Sequence, residues 1–321
     1  MRVYAIVAAA AALAATIAVG AALLPGTEPA PPASAGPGTP RAGAPPLLLD
    51  LGVRDDAEAR ALRRAAMLYA QGRRAGALAV FERHDSLEAR VGAAFARWPQ
   101  GTLDRLQQLG GLYPRSALVQ LHLGLALYWS GRAGATQAWQ QAEDVEPDTP
   151  YAVVAGDLLH PQFARGLPVF IPSFETPAAI RALPAARQLA ALERAAAAGG
   201  VREQLLYGVA LQRLGRPRSA EQAFARAARL APADAEAQVA AAVGRFDKAT
   251  PGLAFSQLGP LVRRFPGEPS VRFHLGLLLL WTGRVEEGKR QLRLAQATRP
   301  ESPLAREAGR YLERVAQAQK G

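Results

Sequence analysis

Apolar residues in this chain recur mostly at three- and four-residue intervals, the spacing of one face of a helix. Near the end of the chain, Leu304, Ala308, Tyr311, Leu312 and Val315 alternate with Arg306, Glu307, Arg310 and Glu313, which predicts an amphipathic helix from Pro303 to Gln319. Alanine and leucine dominate while aromatics supply only 7% of residues, a balance that favours helices because those side chains lose little freedom there. The predicted fold class is all-α. One phrase also repeats: HLGLALYWSGR at 122–132 returns as HLGLLLLWTGR at 274–284. A catalytic motif is rarely needed twice, whereas a packing unit often is.

The repeat unit is shorter than this duplication. Across 201–234, small residues at Gly208, Ala220 and Ala227 stand where two helices of a hairpin must approach closely. Gly215 ends the first helix and Pro232 stops the second. Ala242, Ala254, Leu258, Leu261 and Pro266 fill the same slots over 235–268, and Gly276, Gly283, Leu292, Ala295 and Pro300 do so over 269–302. The pattern resembles the tetratricopeptide repeat, a helix-turn-helix unit of about 34 residues. In the first half, Leu68, Gly72, Ala77 and Phe81 match Leu211, Gly215, Ala220 and Phe224, and EARV at 88–91 matches EAQV at 236–239. There the first unit has no helix-stopping proline and the second is a few residues short. The middle unit of the second half has no glycine at its turn. The reading is two duplicated arrays, 47–160 and 201–321, each of three hairpins and a terminal helix. Stacked hairpins bury apolar faces that one hairpin cannot bury alone.

The segment between the arrays, 161–200, starts differently. Residues 160–177 hold four prolines and a glycine, which exclude a regular helix. Phe163, Leu167, Val169, Phe170, Ile171 and Phe174 make the stretch too apolar for a free linker. It is expected to dock, either simply packing against the helices or occupying a groove of its own chain. A helix interrupted near Pro184 should follow, with Leu189, Leu192 and Ala196 packing under the second array.

From Val3 to Leu24 the chain carries no charge, and a helix of that length spans about 33 Å, enough for a bilayer core. Residues 1–24 are read as an uncleaved signal-anchor helix. A cleavable signal with its site near Ala33-Ser34-Ala35 is the alternative. Arg2 places the N-terminus in the cytoplasm and the rest of the chain outside, as a single-pass protein of the plasma (inner) membrane. Residues 25–46 are rich in proline, glycine and alanine and read as a tether.

Charge adds little. The formal net charge of +11 is carried almost wholly by arginine, with Lys248, Lys289 and Lys320 the only lysines, and no run of five basic residues occurs. Without a clustered basic face, nucleic acid is not expected as a partner. The chain has no cysteine, and no phosphate-binding loop, zincin or nucleophile-elbow motif is present. His122 and His274 stand at matching positions, yet neither has a His or carboxylate three or four residues away, so hydrogen-bonded structural histidines are favoured over metal ligands. Trp129 and Trp281 are read as packing residues. The clusters Asp55, Asp56, Glu58 and Glu143, Asp144, Glu146, Asp148 are read as solvated or helix-start charge. No catalytic residue, cofactor or metal is assigned, and the oligomeric state stays open.

The family resemblance implies a concave groove lined by the first helix of each hairpin. Its candidate partner-binding residues are Leu121, Leu125 and Tyr128, with Leu118 beside them; Arg202 and Gln212, with Leu205 and Val209; and Phe273, Leu277 and Leu280, with Ser270. Such a surface suits an amphipathic helix or an extended apolar segment of a protein or peptide partner in the cell envelope. The alternative is that the two halves, or the linker, fill the grooves themselves. The expected function is a membrane-tethered, non-enzymatic scaffold. A secreted binding protein and an enzyme or enzyme subunit with its site at the inter-array linker are the other readings.

Overall fold

The computed structural model describes residues 38–320, which form sixteen helices and, among the described residues, no strand. The anchor read at 1–24 lies outside the described residues. Among those described, no helix is long and apolar enough to cross a membrane. The chain divides after Leu159 into two compact units.

In the first unit an extended segment, 38–51, precedes three antiparallel hairpins and a closing helix. The hairpins are α1 (Ala57–Ala70) with α2 (Arg74–Phe81), α3 (Leu87–Ala96) with α4 (Thr102–Leu112), and α5 (Ala117–Trp129) with α6 (Ala135–Val145), followed by α7 (Pro150–Leu159). The second unit begins with another extended segment, 161–175, then α8 (Ala178–Arg181) and α9 (Ala185–Ala197), divided at Pro184 as expected. Its hairpins are α10 (Val201–Arg213) with α11 (Pro217–Leu230), α12 (Ala235–Gly244) with α13 (Gly252–Arg264), and α14 (Pro269–Trp281) with α15 (Val285–Thr298), closed by α16 (Pro303–Lys320). Leu192 and Ala196 of α9 are buried, while Leu189 is half-buried.

The turns follow from the sequence. After α1, Gly72 takes a left-handed conformation (φ 75°), its N–H donates to the Tyr69 carbonyl, and the next N–H, of Arg73, reaches back to Leu68. These two hydrogen bonds satisfy carbonyls that the helix end leaves open, and glycine adopts the conformation without a Cβ penalty. The same two bonds close α5, α10 and α14, in each case through a Gly-Arg pair. Between α12 and α13 that pair gives way to the longer turn 245–251, consistent with the missing glycine signal. Helix starts are capped where the two halves match: Ser86 accepts from Ala89 N–H and Asp234 from Ala237 N–H.

Packing within a hairpin sets a bulky second-helix residue against a small first-helix one. A Cβ on Gly208 would collide with the buried Phe224 ring, so glycine is what lets α10 and α11 close up. Phe81, Trp139 and Leu292 take the place of Phe224 in the other hairpins of this kind, and burying such a side chain stabilises by roughly 1.5–3 kcal/mol. Helices α5 and α14 are buried around nearly their whole circumference. A helix enclosed on all sides needs no polar face, which explains the repeated phrase. One part of that enclosure comes from the extended segments.

Candidate functional site

The groove-facing residues named from the sequence are placed on first helices of the hairpins, but they do not line an open surface. Leu121, Leu125 and Tyr128 in the first unit, and Phe273, Leu277 and Leu280 in the second, are all at most 8% exposed. Leu118, Leu205, Val209 and Ser270 are buried as well. Segment 38–51 lies along the first unit's groove and segment 161–175 along the second's, while Phe273 packs on Tyr311 of α16 and Leu280 against Gly288 of α15. Residues 38–46, the end of the stretch read as a tether, are part of the first of these segments.

Both segments are held through their backbones by residues at matching positions of the helices. Near the start, the N–H of Arg41 donates to the carbonyl of Trp129 at 2.8 Å, and the N–H of Ala164 to that of Trp281 at 3.1 Å. Seven residues further on, the N–H of Leu48 donates to Nε2 of His122 at 3.1 Å, and the N–H of Ile171 to Nε2 of His274 at 2.9 Å. Between them, Tyr69 donates its hydroxyl to the Pro45 carbonyl at 2.7 Å, while the matching Gln212 accepts the Phe170 N–H on Oε1 at 3.0 Å. Each segment runs opposite to the helix that holds it, α5 in the first unit and α14 in the second.

Aligned on these bonds, the segments share a short pattern. RAGAPPLL at 41–48 faces ARGLPVFI at 164–171: a glycine, a proline two residues later, then two adjacent large apolar residues. Gly43 and Gly166 both have left-handed backbones, φ 78° and 71°, where a side chain would be strained. Pro45 and Pro168 are both buried. Proline has no N–H to satisfy, so it can sit in the apolar groove without leaving a donor unpaired.

The two histidines decide the chemistry of the anchor. Their rings are fully buried. Nδ1 of His122 lies 2.7 Å from the Leu118 carbonyl, and Nδ1 of His274 lies 2.7 Å from the Ser270 carbonyl. A carbonyl only accepts, so Nδ1 carries the proton and Nε2 is the free acceptor that an incoming backbone N–H requires. Burial pushes both imidazoles down to about pKa 4, against the opposing pull of the carbonyl bond. They are therefore neutral and act as fixed backbone acceptors.

Further contacts differ between the units. In the first, Trp98 donates Nε1–H to the Gly43 carbonyl at 3.0 Å, Tyr151 receives the Asp50 N–H on its hydroxyl at 2.8 Å, and the Arg41 guanidinium lies over the Tyr128 ring and bonds its hydroxyl. In the second, the buried Lys248 donates to the Ala164 carbonyl at 2.8 Å and Glu236 accepts the Ser173 N–H at 2.9 Å. Burial holds the Glu236 carboxyl above its ordinary range. Phe170 stacks on the His274 ring and meets Phe224 edge-on. Arg202 places its guanidinium over Phe174 and reaches the Glu175 carbonyl at 3.4 Å, so Arg202 and Gln212 both engage the segment.

Tyr69, Trp98, Tyr151, Glu236 and Lys248 were not singled out from the sequence. Only the paired Gly-x-Pro pattern could have pointed to them, by showing that a groove-filling segment precedes each array. Of the acidic clusters, Asp56 caps α1 and pairs with Arg54, and Glu146 accepts the Ala117 N–H at the start of α5. Among the described residues, no group of three or more His, Asp or Glu is placed to hold a metal ion.

Among solved structures, the chain is similar to YrrB, a TPR protein with an unusual peptide-binding site, at 16% identity and a TM-score of 0.32, over 65% of this chain and 99% of that one. It is similar to TTC0263, a thermophilic TPR protein in Thermus thermophilus, at 20% identity and a TM-score of 0.25, over 81% and 100% of the two chains. It is also similar to the TPR2AB domain of yeast Sti1 in a pHSP90 complex, at 12% identity and a TM-score of 0.31, over 81% and 98%. No family model matches the sequence, and no curated protein matches it.

Proposed function

We propose that this chain is a non-enzymatic scaffold of tetratricopeptide type, held at a membrane by its N-terminal apolar run, that mediates protein–protein interaction from two duplicated arrays. The observation that carries this reading is the paired anchor: Leu48 N–H on His122 and Ile171 N–H on His274. Two grooves with the same acceptor in the same place each hold an extended backbone, and that is peptide-recognition chemistry rather than bond-making chemistry. Membrane tethering is supported by the uncharged run from Val3 to Leu24 and by Arg2 on its flank.

The test is photo-crosslinking in native membranes, comparing the wild type with a Phe170→Ser variant that loosens the second segment. The expected result is that the chain sediments with membranes and crosslinks one reproducible protein, more strongly in the variant. Unchanged crosslinking in the variant would put the contact on the outer faces of the hairpins. A soluble chain with a new N-terminus near Ala35 would replace the tethered reading with the secreted one. Absence of any crosslinked protein would contradict the scaffold reading.

A further inference from the structure

We infer that each groove is a receptor for an extended segment of the form Gly-x-Pro-x-Φ-Φ, where Φ is a large apolar residue, and that the chain's own segments are internal occupants replaced by a partner protein's segment of that form. This rests on the interaction reading above and adds what the groove selects. Two different sequences, each in its own groove, meet the same pair of backbone acceptors. Between RAGAPPLL and ARGLPVFI the constant features are the glycine, the proline and the terminal apolar pair. Those are the features the groove engages. Gly43 and Gly166 supply the left-handed bend, Pro45 and Pro168 are buried, and the last residue gives its N–H to a histidine. At the positions between them the two segments differ, Ala44 against Leu167, Pro46 against Val169 and Leu47 against Phe170, and so do the side chains that meet the segments, Tyr69 in the first groove and Gln212 in the second.

The anchors also make recognition independent of most side chains. The carbonyls of Trp129 and Trp281 and Nε2 of His122 and His274 all take backbone N–H groups. A third segment with the same pattern meets the same acceptors. Because the internal occupant is covalently attached, it competes at a high effective concentration, and a partner's segment enters only when that occupant is weakened or outcompeted. The last position carries a sharp requirement: a residue without N–H leaves the buried imidazole nitrogen unpaired.

The experiment uses the full chain in detergent micelles and a fluorescein-labelled synthetic peptide of residues 162–175, read by anisotropy. A Phe170→Ser, Ile171→Ser variant weakens the internal segment while leaving the groove residues intact. It should bind the peptide about tenfold or more tighter than the wild type does. The same peptide N-methylated at Ile171 should lose about tenfold on that variant. If the double variant fails to fold, a second form carries protease sites at the exposed Gln162 and Glu175, so that cutting frees the segment without altering the groove. The labelled peptide should then exchange into the cut protein. No binding to the folded variant or the cut protein, or equal binding of the N-methylated peptide, overturns the inference. Dimerisation of the variant by exchange of segments between copies, with no uptake of peptide, overturns it in favour of a second copy as occupant. Peptide binding is read on purified protein, so its failure is distinct from failure to find a cellular partner.

Discussion

Ile171 gives its backbone N–H to Nε2 of His274 at 2.9 Å while Nδ1–H of the same ring is spent on the Ser270 carbonyl one turn back. The ring thus connects a helix to a segment that belongs to no helix. His122 makes the same connection between α5 and Leu48. The repeated phrase therefore preserves an acceptor as well as a packing surface.

Replacing His274 by Phe keeps a ring of similar size and removes the acceptor. The Ile171 N–H is then left without a partner, which costs about 1–3 kcal/mol. Urea unfolding of the full chain should show a lower midpoint by that amount, and His122→Phe should cost a similar amount in the first unit.

Stability should also depend on pH through these rings. They are neutral in the folded chain, with pKa values pushed down from 6.5 to about 4, and the unfolded chain binds protons at its ordinary value. Between those limits the unfolded state holds more protons, so stability is complete above about pH 6.5 and falls as pH drops toward 4, on the order of 3 kcal/mol per histidine. The raised carboxyl of Glu236 contributes with the opposite sign, stabilising at low pH and less as pH rises through its folded pKa. Thermal melts between pH 4 and 7 should therefore show a steeper fall in the wild type than in a His122→Gln, His274→Gln double variant.

Phe170 is 1% exposed and touches both His274 and Phe224. Phe170→Ala removes a buried ring whose loss typically costs about 3–5 kcal/mol. Calorimetry should register this in the second unit's transition. Val169→Ala, at a half-buried site beside it, should cost clearly less.

At Gly166 the backbone has φ 71° and, beyond its two chain neighbours, no atom stands within 4 Å of where a Cβ would be. Gly166→Ala is therefore opposed by backbone strain alone, about 1 kcal/mol, with no collision to relieve. Amide exchange in 163–174 should quicken several-fold while α14 is unaffected.

The hairpins were legible because their signals are local. Gly72, Gly131, Gly215 and Gly283 each terminate a helix within the few residues that predict it, and Pro184 divides α8 from α9 in the same way. Where a signal was missing, as at the turn 245–251, the boundary was less sharp. The small slots Ala220, Ala227, Ala242 and Ala254 are all buried as the repeat register requires. The occupied grooves were harder to see, for two reasons. Whether a groove is filled depends on a segment distant from its helices, and no helical periodicity encodes that pairing. The Gly-x-Pro pattern was also obscured, since the first copy falls at the end of a proline-rich stretch and the second is separated from its array by α8 and α9. Composition spoke for a tether at Gly43 to Pro46, where backbone hydrogen bonding spoke for a bound segment.

The central claim is that both extended segments are seated in their grooves through the histidine acceptors. Residue-resolved amide hydrogen exchange of the full chain tests it most directly, read at Leu48 and Ile171. Both amides should be protected to the level of the helices α5 and α14 that hold them, and His122→Phe and His274→Phe should each release only the matching one. Exchange at the rate of an unstructured peptide at either position in the wild type would contradict it.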